Sequence, residues 1–139
     1  MKKVKLYVGC ALNNAPEDFK ANVFALRSII AKDPRFEVLE FFGSGGTSED
    51  VYKKDILECV ENADIMLAVC DFPSLGLGFE IATHCKHHKR PLLAVAHTDS
   101  SVSRLIIGMY GEGPFTFKRY KNISDVPRII DEWISTLSF

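Results

Sequence analysis

The sequence has 139 residues, 47% of them hydrophobic, and 17 Lys and Arg residues against 18 Asp and Glu residues give a net charge of −1. This length and apolar content predict one domain over residues 1–139 with a well-buried core. The balanced charge argues against binding to a nucleic-acid polymer, which requires a basic face. No apolar run approaches the roughly 20 residues of a membrane span. Four cysteines without a C-x-x-C pair indicate reduced thiols, so we expect a cytoplasmic protein.

Strand-like and helix-like segments alternate along the chain. Compact apolar runs predict strands at 4–9, 36–42, 64–70, 91–96 and 115–120. Helical spacing of apolar residues predicts helices after the loop 10–15, from 47 to about 62, from about 77 to 89, within 100–109 and after 124. Strands that are apolar throughout and are joined by helices form parallel sheets covered on both faces. The sequence therefore predicts a Rossmann-like (flavodoxin-like) α/β fold with five parallel strands.

Three of the predicted helices begin with capping patterns. Asn14 with Glu17, and Thr47 with Asp50, have the three-residue spacing of a capping box. Ser124 precedes the last helix as a single capping residue. These patterns predict where the first, second and last helices begin.

Residues 71–80, Asp-Phe-Pro-Ser-Leu-Gly-Leu-Gly-Phe-Glu, join the most apolar predicted strand to the next helix. Strand, glycine turn and helix is the arrangement by which α/β proteins place ligands at the carboxyl edge of a parallel sheet. Gly76 and Gly78 predict a sharp turn that a ligand can approach closely. Glu80 follows at the start of the helix, so we expect its carboxylate at the mouth of a pocket.

Motifs for other ligands are weaker. Residues 76–81 begin like G-x-G-x-x-G but end in isoleucine, and residues 43–48 lack the G-K-[ST] of a P-loop, which argues against dinucleotide and P-loop sites. His84 and His88 have the spacing of a zinc site but lack a third ligand, which favours a solvated helix face. His97 ends the fourth strand on the same edge as Glu80, where it either contacts a ligand or is a satisfied edge residue.

Asp55 adjoins the apolar stripe of the second helix, which contains Ile56, Leu57 and Val60. A carboxylate there is either solvated or aimed into a pocket, and the residue pattern alone favours the solvated alternative. Two close carboxylates can cleave a glycosidic bond, one by stabilising or attacking the sugar and one by protonating the leaving group. Asp55 and Glu80 come from helices that flank the third strand, which allows them to meet.

Three stretches resemble the nucleoside 2-deoxyribosyltransferase superfamily: Asp-Ile-Leu at 55–57, Ala-Asp-Ile-Met-Leu-Ala at 63–68 and Pro-Ser-Leu-Gly-Leu-Gly-Phe-Glu at 73–80. The last, written P-S-L-G-x-G-[FY]-E, resembles the branch of 2′-deoxynucleoside 5′-phosphate N-hydrolases. The similarity continues through 89–93 and 103–108 and so spans nearly the whole chain. It implies an N-glycosidase that acts on (deoxy)nucleoside 5′-monophosphates and needs no cofactor or metal.

The resemblance also implies roles for single residues. Glu80 matches the nucleophile that attacks the anomeric carbon, Asp55 the acid that assists departure of the base, and Tyr7 the tyrosine that orients the nucleophile. Ser74 and Ser103 match serines that bind the 5′-phosphate. Ser103 does so in a neighbouring subunit's site, which implies a homodimer or a larger homo-oligomer. The other implied substrate-binding residues are Gly76, Gly78, Gly9, Cys10, Ala11, Leu12 and Asn13.

The first loop departs from the pattern of this branch. Asn13 stands where an arginine is expected, which removes a charge-assisted contact worth about 1.5–3 kcal/mol. Ser74 nevertheless favours a nucleotide, because the acidic residue typical of the nucleoside transferases at this position would repel a phosphate. Three functions stay open: an N-glycosidase, a transferase that exchanges bases on deoxyribose, and a nucleotide-binding domain without turnover.

Overall fold

The computed structural model describes residues 2–39, 41 and 45–138, which form a parallel sheet covered by helices. The strands are β1 (Val4–Cys10), β2 (Phe36–Leu39), β3 (Ile65–Val69), β4 (Leu92–His97) and β5 (Phe115–Tyr120). The helices are α1 (Glu17–Ala31), α2 (Ser48–Tyr52), α3 (Leu75–Ile81), α4 (Arg104–Ile107) and α5 (Val126–Ile134). Among these described residues, no helix has both the length and the apolar character needed to cross a membrane.

Two helices change geometry along their length. α2 continues directly into a π-helical segment, Lys53–Val60, and α3 continues into a second one, Ala82–His87. A 3-10 turn, Ile123–Asp125, precedes α5. The sequence predicted these stretches as helical without distinguishing the π geometry, in which the backbone bonds to the fifth residue back instead of the fourth.

The strand order is β2-β1-β3-β4-β5, and every neighbouring pair is parallel. This order confirms the predicted flavodoxin-like fold. The chain direction across the sheet reverses between β1 and β3, and folds of this class bind ligands outside the carboxyl ends of the strands at such a switch point.

The sheet carries a separate core on each face, because successive strand residues point to opposite sides. On one face, β1 packs with Val23 of α1 and Trp133 of α5. On the other face, Tyr7 of β1 packs with Ile56 and Ile81 from the two π-extended helices. The carboxyl edge of the sheet is therefore bordered by different helices and side chains on its two faces.

The predicted boundaries hold with small shifts. The strand predicted at 91–96 begins and ends one residue later, and the strand predicted at 115–120 agrees with β5. The strand predicted at 36–42 ends at Leu39, and residues 40 and 42–44, including part of the predicted loop 43–46, lie outside the described residues.

One of the three predicted caps is confirmed and two are wrong. The Thr47 hydroxyl accepts a hydrogen bond from the Asp50 N–H, and the Asp50 carboxylate accepts one from the Thr47 N–H. The first helix is instead preceded by Pro16 and has no side-chain cap. At the last helix the capping box, formed by Asn122 with Asp125, belongs to the 3-10 turn, so Ser124 is not the cap.

The glycine turn predicted within 71–80 is wrong. α3 begins at Leu75, so Gly76 and Gly78 lie inside the helix. Ser74 ends the extended segment, and its hydroxyl oxygen accepts a hydrogen bond from the Leu77 N–H at 3.2 Å. A serine cap therefore starts the helix where the sequence predicted a turn built on glycine.

All four cysteines carry free thiols. Burial raises the pKa of Cys10 and Cys59 to about 11 and the pKa of Cys70 to about 12. Burial also raises the pKa of Cys85. These side chains are therefore protonated thiols at neutral pH.

Candidate active site

Two carboxyl groups and a tyrosine meet on one face of the sheet. The Tyr7 hydroxyl oxygen lies 3.0 Å from Asp55 Oδ1 and 2.6 Å from Glu80 Oε2. The two carboxyl oxygens are therefore no further apart than the sum of these distances. Asp55 and Glu80 also share a direct side-chain hydrogen bond, so the two carboxyl groups are in contact. Asp55 is thus aimed into a cluster and is not the solvated edge residue that its sequence position favoured.

Three different elements supply this cluster. Tyr7 comes from β1, Asp55 from the π-helical segment after α2, and Glu80 from α3. Gly9 makes room for Glu80, because a Cβ atom at position 9 would lie 2.9 Å from Glu80 Oε1. Real Cβ contacts are not that short, so this approach requires glycine.

The hydrogen bonds require a proton on one carboxyl group. A tyrosine hydroxyl donates one hydrogen bond, so it donates to one of its two partners and accepts from the other. Burial, together with the hydrogen bond and negative charge of Asp55, raises the pKa of Glu80 to about 10. Only 4% of Glu80 is exposed. The raised pKa favours the shared proton on Glu80.

Tyr7 itself stays protonated. Burial and the negative charges of Glu80 and Asp55 raise the pKa of Tyr7 well above its ordinary value. A neutral phenol between two carboxyl groups can accept a proton from one while it donates to the other.

A cavity of about 860 Å³ opens along the flank of α3. Ser74, Ser103 and Gly78 line it, so one chain already brings both predicted phosphate-binding serines to one cavity. The hydroxyl oxygen of Ser103 also accepts a hydrogen bond from the Leu105 N–H, which caps the short helix α4. Both serines are therefore held in place by helix caps and keep their hydroxyl protons available for donation.

The cavity and the cluster are neighbours that do not overlap. Tyr7, Asp55 and Glu80 do not line the cavity, whereas Leu77 does. Leu77 Cδ1 also comes within 3.1 Å of the Cβ position at Gly9, beside Glu80. Leu77 therefore lies at the boundary between the two.

Six predicted substrate-binding residues do not line this cavity. Gly9 and Cys10 lie at the end of β1, where Gly9 is buried. In the loop that follows, Ala11 is buried, Leu12 packs against the core, and Asn13 is exposed. The sixth residue is Gly76 of α3. The neighbouring loop residue, Asn14, lines the cavity instead.

Lys86 also lines the cavity, and sequence reasoning missed it. Its ammonium group lies 3.0 Å from a carboxylate oxygen of Glu112, another lining residue. A signal existed in the sequence, because Gly78, Ala82 and Lys86 follow at four-residue spacing and so share one helix face. The cavity is therefore lined by the positively charged side chain of Lys86, whereas the first loop has Asn13 in place of the expected arginine.

The histidine prediction is wrong for His84, which is fully buried. Its ring nitrogens lie 3.3 Å from the Val60 carbonyl oxygen and 3.1 Å from the Pro91 carbonyl oxygen. Burial lowers the pKa of His84, so the ring is neutral and ties the helix to the sheet edge. Within the part of the chain that the structure describes, no three His, Cys, Asp or Glu side chains are grouped as metal ligands.

Two relatives match this chain in sequence, and both carry the name "Putative 2′-deoxynucleoside 5′-phosphate N-hydrolase 1". The resemblance to that branch is confirmed. The relative from Thermofilum pendens is 34% identical over 92 residues, which cover 65% of this chain and 62% of the relative. The relative from Syntrophotalea carbinolica is 28% identical over 100 residues, which cover 69% of this chain and 67% of the relative. The match thus spans less than two thirds of the first relative. No protein-family model matches the chain.

A solved structure shares the fold. The CMP N-glycosidase BcmB from Clostridium botulinum superposes with a TM-score of 0.67, and the match covers 91% of this chain and 98% of that one. The two sequences are 16% identical. At this low identity, the match shows that the two chains share the same α/β fold.

Proposed function

We propose that the protein is an N-glycosidase that hydrolyses (deoxy)nucleoside 5′-monophosphates to a free base and a sugar 5-phosphate. The observation that carries the proposal is the contact of Tyr7 with both Asp55 and Glu80. A buried pair of carboxyl groups that shares one proton can supply both a nucleophile and an acid. The names of the two relatives and of the structural neighbour refer to cleavage of the same kind of bond.

The first step breaks the bond between sugar and base. The reaction needs the shared proton on Asp55, and the direct hydrogen bond between the two carboxyl groups offers the path from Glu80, while Tyr7 holds both groups in place. The ionised Glu80 then attacks the anomeric carbon and forms a glycosyl ester. Asp55 gives its proton to the departing base.

The second step releases the sugar. Water attacks the anomeric carbon, and Asp55 accepts a proton from that water. The bond between the sugar and Glu80 breaks, and the sugar 5-phosphate leaves. The cluster ends with the one proton with which it began, so the cycle needs no further acid or base.

The cavity beside α3 supports a phosphate on the substrate. Ser74 and Ser103 offer hydroxyl donors, Asn14 an amide, and Lys86 a cation. Lys86 would exchange its contact with Glu112 for the phosphate and so replace the arginine missing at position 13. Charge-assisted hydrogen bonds of this kind are about twice as strong as neutral ones.

The test is release of free base from a panel of nucleoside and deoxynucleoside monophosphates, each compared with its nucleoside. We expect base from at least one monophosphate and slower release from the matching nucleoside. Glu80→Gln should abolish release, because the amide cannot form the ester. Glu58→Gln is the matched control, since Glu58 is an exposed acid on the same helical segment as Asp55, and it should leave the rate unchanged.

Two outcomes would contradict the proposal. Nucleotide binding without base release at high enzyme concentration would indicate a binding domain. A new nucleotide formed when a second free base is added, with little free sugar phosphate, would indicate a transferase.

A further inference from the structure

A second cavity of about 540 Å³ lies at the carboxyl edge of the sheet, on the face opposite the Tyr7 cluster. Its walls come from α1, from the ends of β3, β4 and β5, and from the turn before α5. Pockets for small molecules have volumes of about 300–1,000 Å³, and the carboxyl edge is where α/β folds bind ligands. The proposed glycosidase reaction makes no use of this cavity.

A fixed acceptor forms part of the lining. Asp71 follows β3, and its carboxylate accepts hydrogen bonds from the Tyr120 hydroxyl at 2.5 Å and from the His97 N–H at 3.4 Å. The His97 ring packs edge-to-face on Tyr120 with centroids 5.7 Å apart. The carboxylate of Asp18, on the first turn of α1, is a second acceptor in the lining.

Flat apolar surface and amide groups complete the lining. The rings of Phe19 and Phe72 are in edge-to-face contact, with centroids 4.9 Å apart, and both residues line the cavity. Asn22 and Asn122 add side-chain amides. Each amide can both donate and accept a hydrogen bond.

We propose that this cavity binds a planar heterocycle that carries an exocyclic amino group, the chemistry of a free aminated nucleobase. Asp18 and Asp71 accept from the amino group, the amides pair with the ring edge, and the phenylalanine rings cover the ring face. An anionic ligand fits poorly, because two carboxylates face a single lysine, Lys121, in the lining. The proposal concerns binding alone and does not depend on the glycosidase activity.

This cavity and the one beside α3 share a lining residue. Phe72 lines both cavities, and Ser74 follows it by two residues. A ligand against Phe72 therefore contacts the segment that presents Ser74 to the other cavity. Binding should for this reason be visible at the backbone amide of Ser74 as well.

The experiment is a titration of the ¹⁵N-labelled full chain with cytosine and adenine, each compared with its carbonyl analogue, uracil and hypoxanthine. We expect saturable shifts of the Asn22, Asn122 and Ser74 amides below roughly 10 mM ligand. Binding of the carbonyl analogues should be at least about tenfold weaker, because they place an acceptor against a carboxylate. Asn22→Ala should weaken binding, whereas Asn14→Ala, in the other cavity, should not.

Three results would overturn the proposal. They are no shifts at these amides up to that concentration, equal binding of the carbonyl analogues, and shifts confined to residues around Tyr7 and Glu80. The Asn22 and Asn14 side chains are both exposed, so neither substitution threatens the fold. The titration of the wild-type chain with the four bases tests the proposal even if a variant fails to fold.

Discussion

Gly9 and Glu80 approach each other more closely than any side chain at position 9 permits. A Cβ atom there would meet Glu80 Oε1 at 2.9 Å, with Leu77 and Met66 atoms at 3.1 Å on either side. The surrounding core gives the carboxyl group little room to retreat. Gly9 thereby determines where the proposed nucleophile lies.

Replacing Gly9 with alanine should therefore displace the Glu80 carboxyl group. A misplacement of about 1 Å in an active site costs on the order of 100-fold in rate, so we expect kcat to fall by about that factor. The measurement is base release under saturating substrate. Gly45→Ala is the control, because a Cβ atom at Gly45 meets nothing within 4 Å; equal rates for the two variants would contradict the prediction.

The buried proton of Glu80 should make stability depend on pH. The folded-state pKa of about 10 lies above the ordinary value of 4.5. Between these pH values the folded protein holds a proton that the unfolded chain has released, so stability falls as pH rises through this window. Glu80→Gln removes the effect and should stabilise the protein by about 1–2 kcal/mol at pH 8.

Thermal unfolding of wild-type and Glu80→Gln protein from pH 5 to pH 9 provides the measurement. The difference in Tm should widen as the pH rises. Glu58→Gln, which replaces an exposed acid, should show a constant and small difference. A gap between wild type and Glu80→Gln that stays the same at pH 5 and pH 9 would speak against a buried proton on Glu80.

At the residue scale, the sequence predicted site residues that belong to a motif, but it could not predict side-chain orientations that depend on packing. Glu80 ends a specific motif, but its carboxyl group is buried and does not lie at the mouth of the cavity, where its place after the glycines predicted it. The orientation of Asp55 could not be read from its helix position, because it depends on Tyr7, which is 48 residues away in sequence. Lys86 was missed because its spacing from Gly78 and Ala82 marks only a shared helix face, and the fold brings that face to the serines.

At the scale of elements, Ser74 has two tasks that can be separated. It caps α3 and also lines the cavity proposed for the phosphate. Aspartate is as good a cap as serine, but its charge repels a phosphate. Alanine removes both the cap and the hydroxyl.

Ser74→Asp should therefore keep the stability of the protein and selectively raise KM for monophosphates, with nucleosides unaffected. Ser74→Ala should lose about 1 kcal/mol of stability through the missing cap. Denaturant unfolding and KM values for a nucleotide and its nucleoside distinguish the two variants. An equal change of KM for both substrates in Ser74→Asp would mean that no phosphate lies near this residue.

Helix existence followed from apolar periodicity, but helix geometry did not. The segments Lys53–Val60 and Ala82–His87 read as ordinary helices in sequence and are π-helical in the structure. The buried His84 ring links the two segments, with one ring nitrogen 3.3 Å from the Val60 carbonyl oxygen. A local sequence pattern does not distinguish π from α geometry.

At the scale of the whole molecule, apolar side chains crowd the rim of the larger cavity. Leu75 is 98% exposed and Leu105 is 82% exposed, and both line it. Contiguous exposed apolar surface marks interaction sites. This exposed apolar rim leads us to predict that a second copy of the chain covers it.

Light scattering after size-exclusion chromatography should give a mass of at least two chains. Leu75→Glu and Leu105→Glu should shift the protein toward the monomer, because each would bury a charge at the contact. Leu57→Glu, which alters an exposed leucine away from the cavity, is the matched control. A monomer at all concentrations, or equal dissociation by the control, would contradict the prediction.

The overall architecture was predictable because the alternation of apolar runs and helical spacing repeats five times along the chain. Parallel pairing follows from apolar strands joined by helices, whereas these rules alone do not fix the strand order. The presence of two cavities on opposite faces was not predictable. It depends on how far α1, α4 and the turn before α5 stand from the strand ends.

The four thiols allow local unfolding of the protein to be followed by cysteine modification. Reagents that modify cysteine react with the thiolate, and burial keeps each pKa high enough to suppress it. Cys59 and Cys85 lie in the two π-helical segments and Cys70 directly follows β3, and all three belong to the core on the face of the Tyr7 cluster. Modification of these three should therefore be slow in the native state and should accelerate in step with unfolding of that face, which mass spectrometry of pulse-labelled protein would follow site by site.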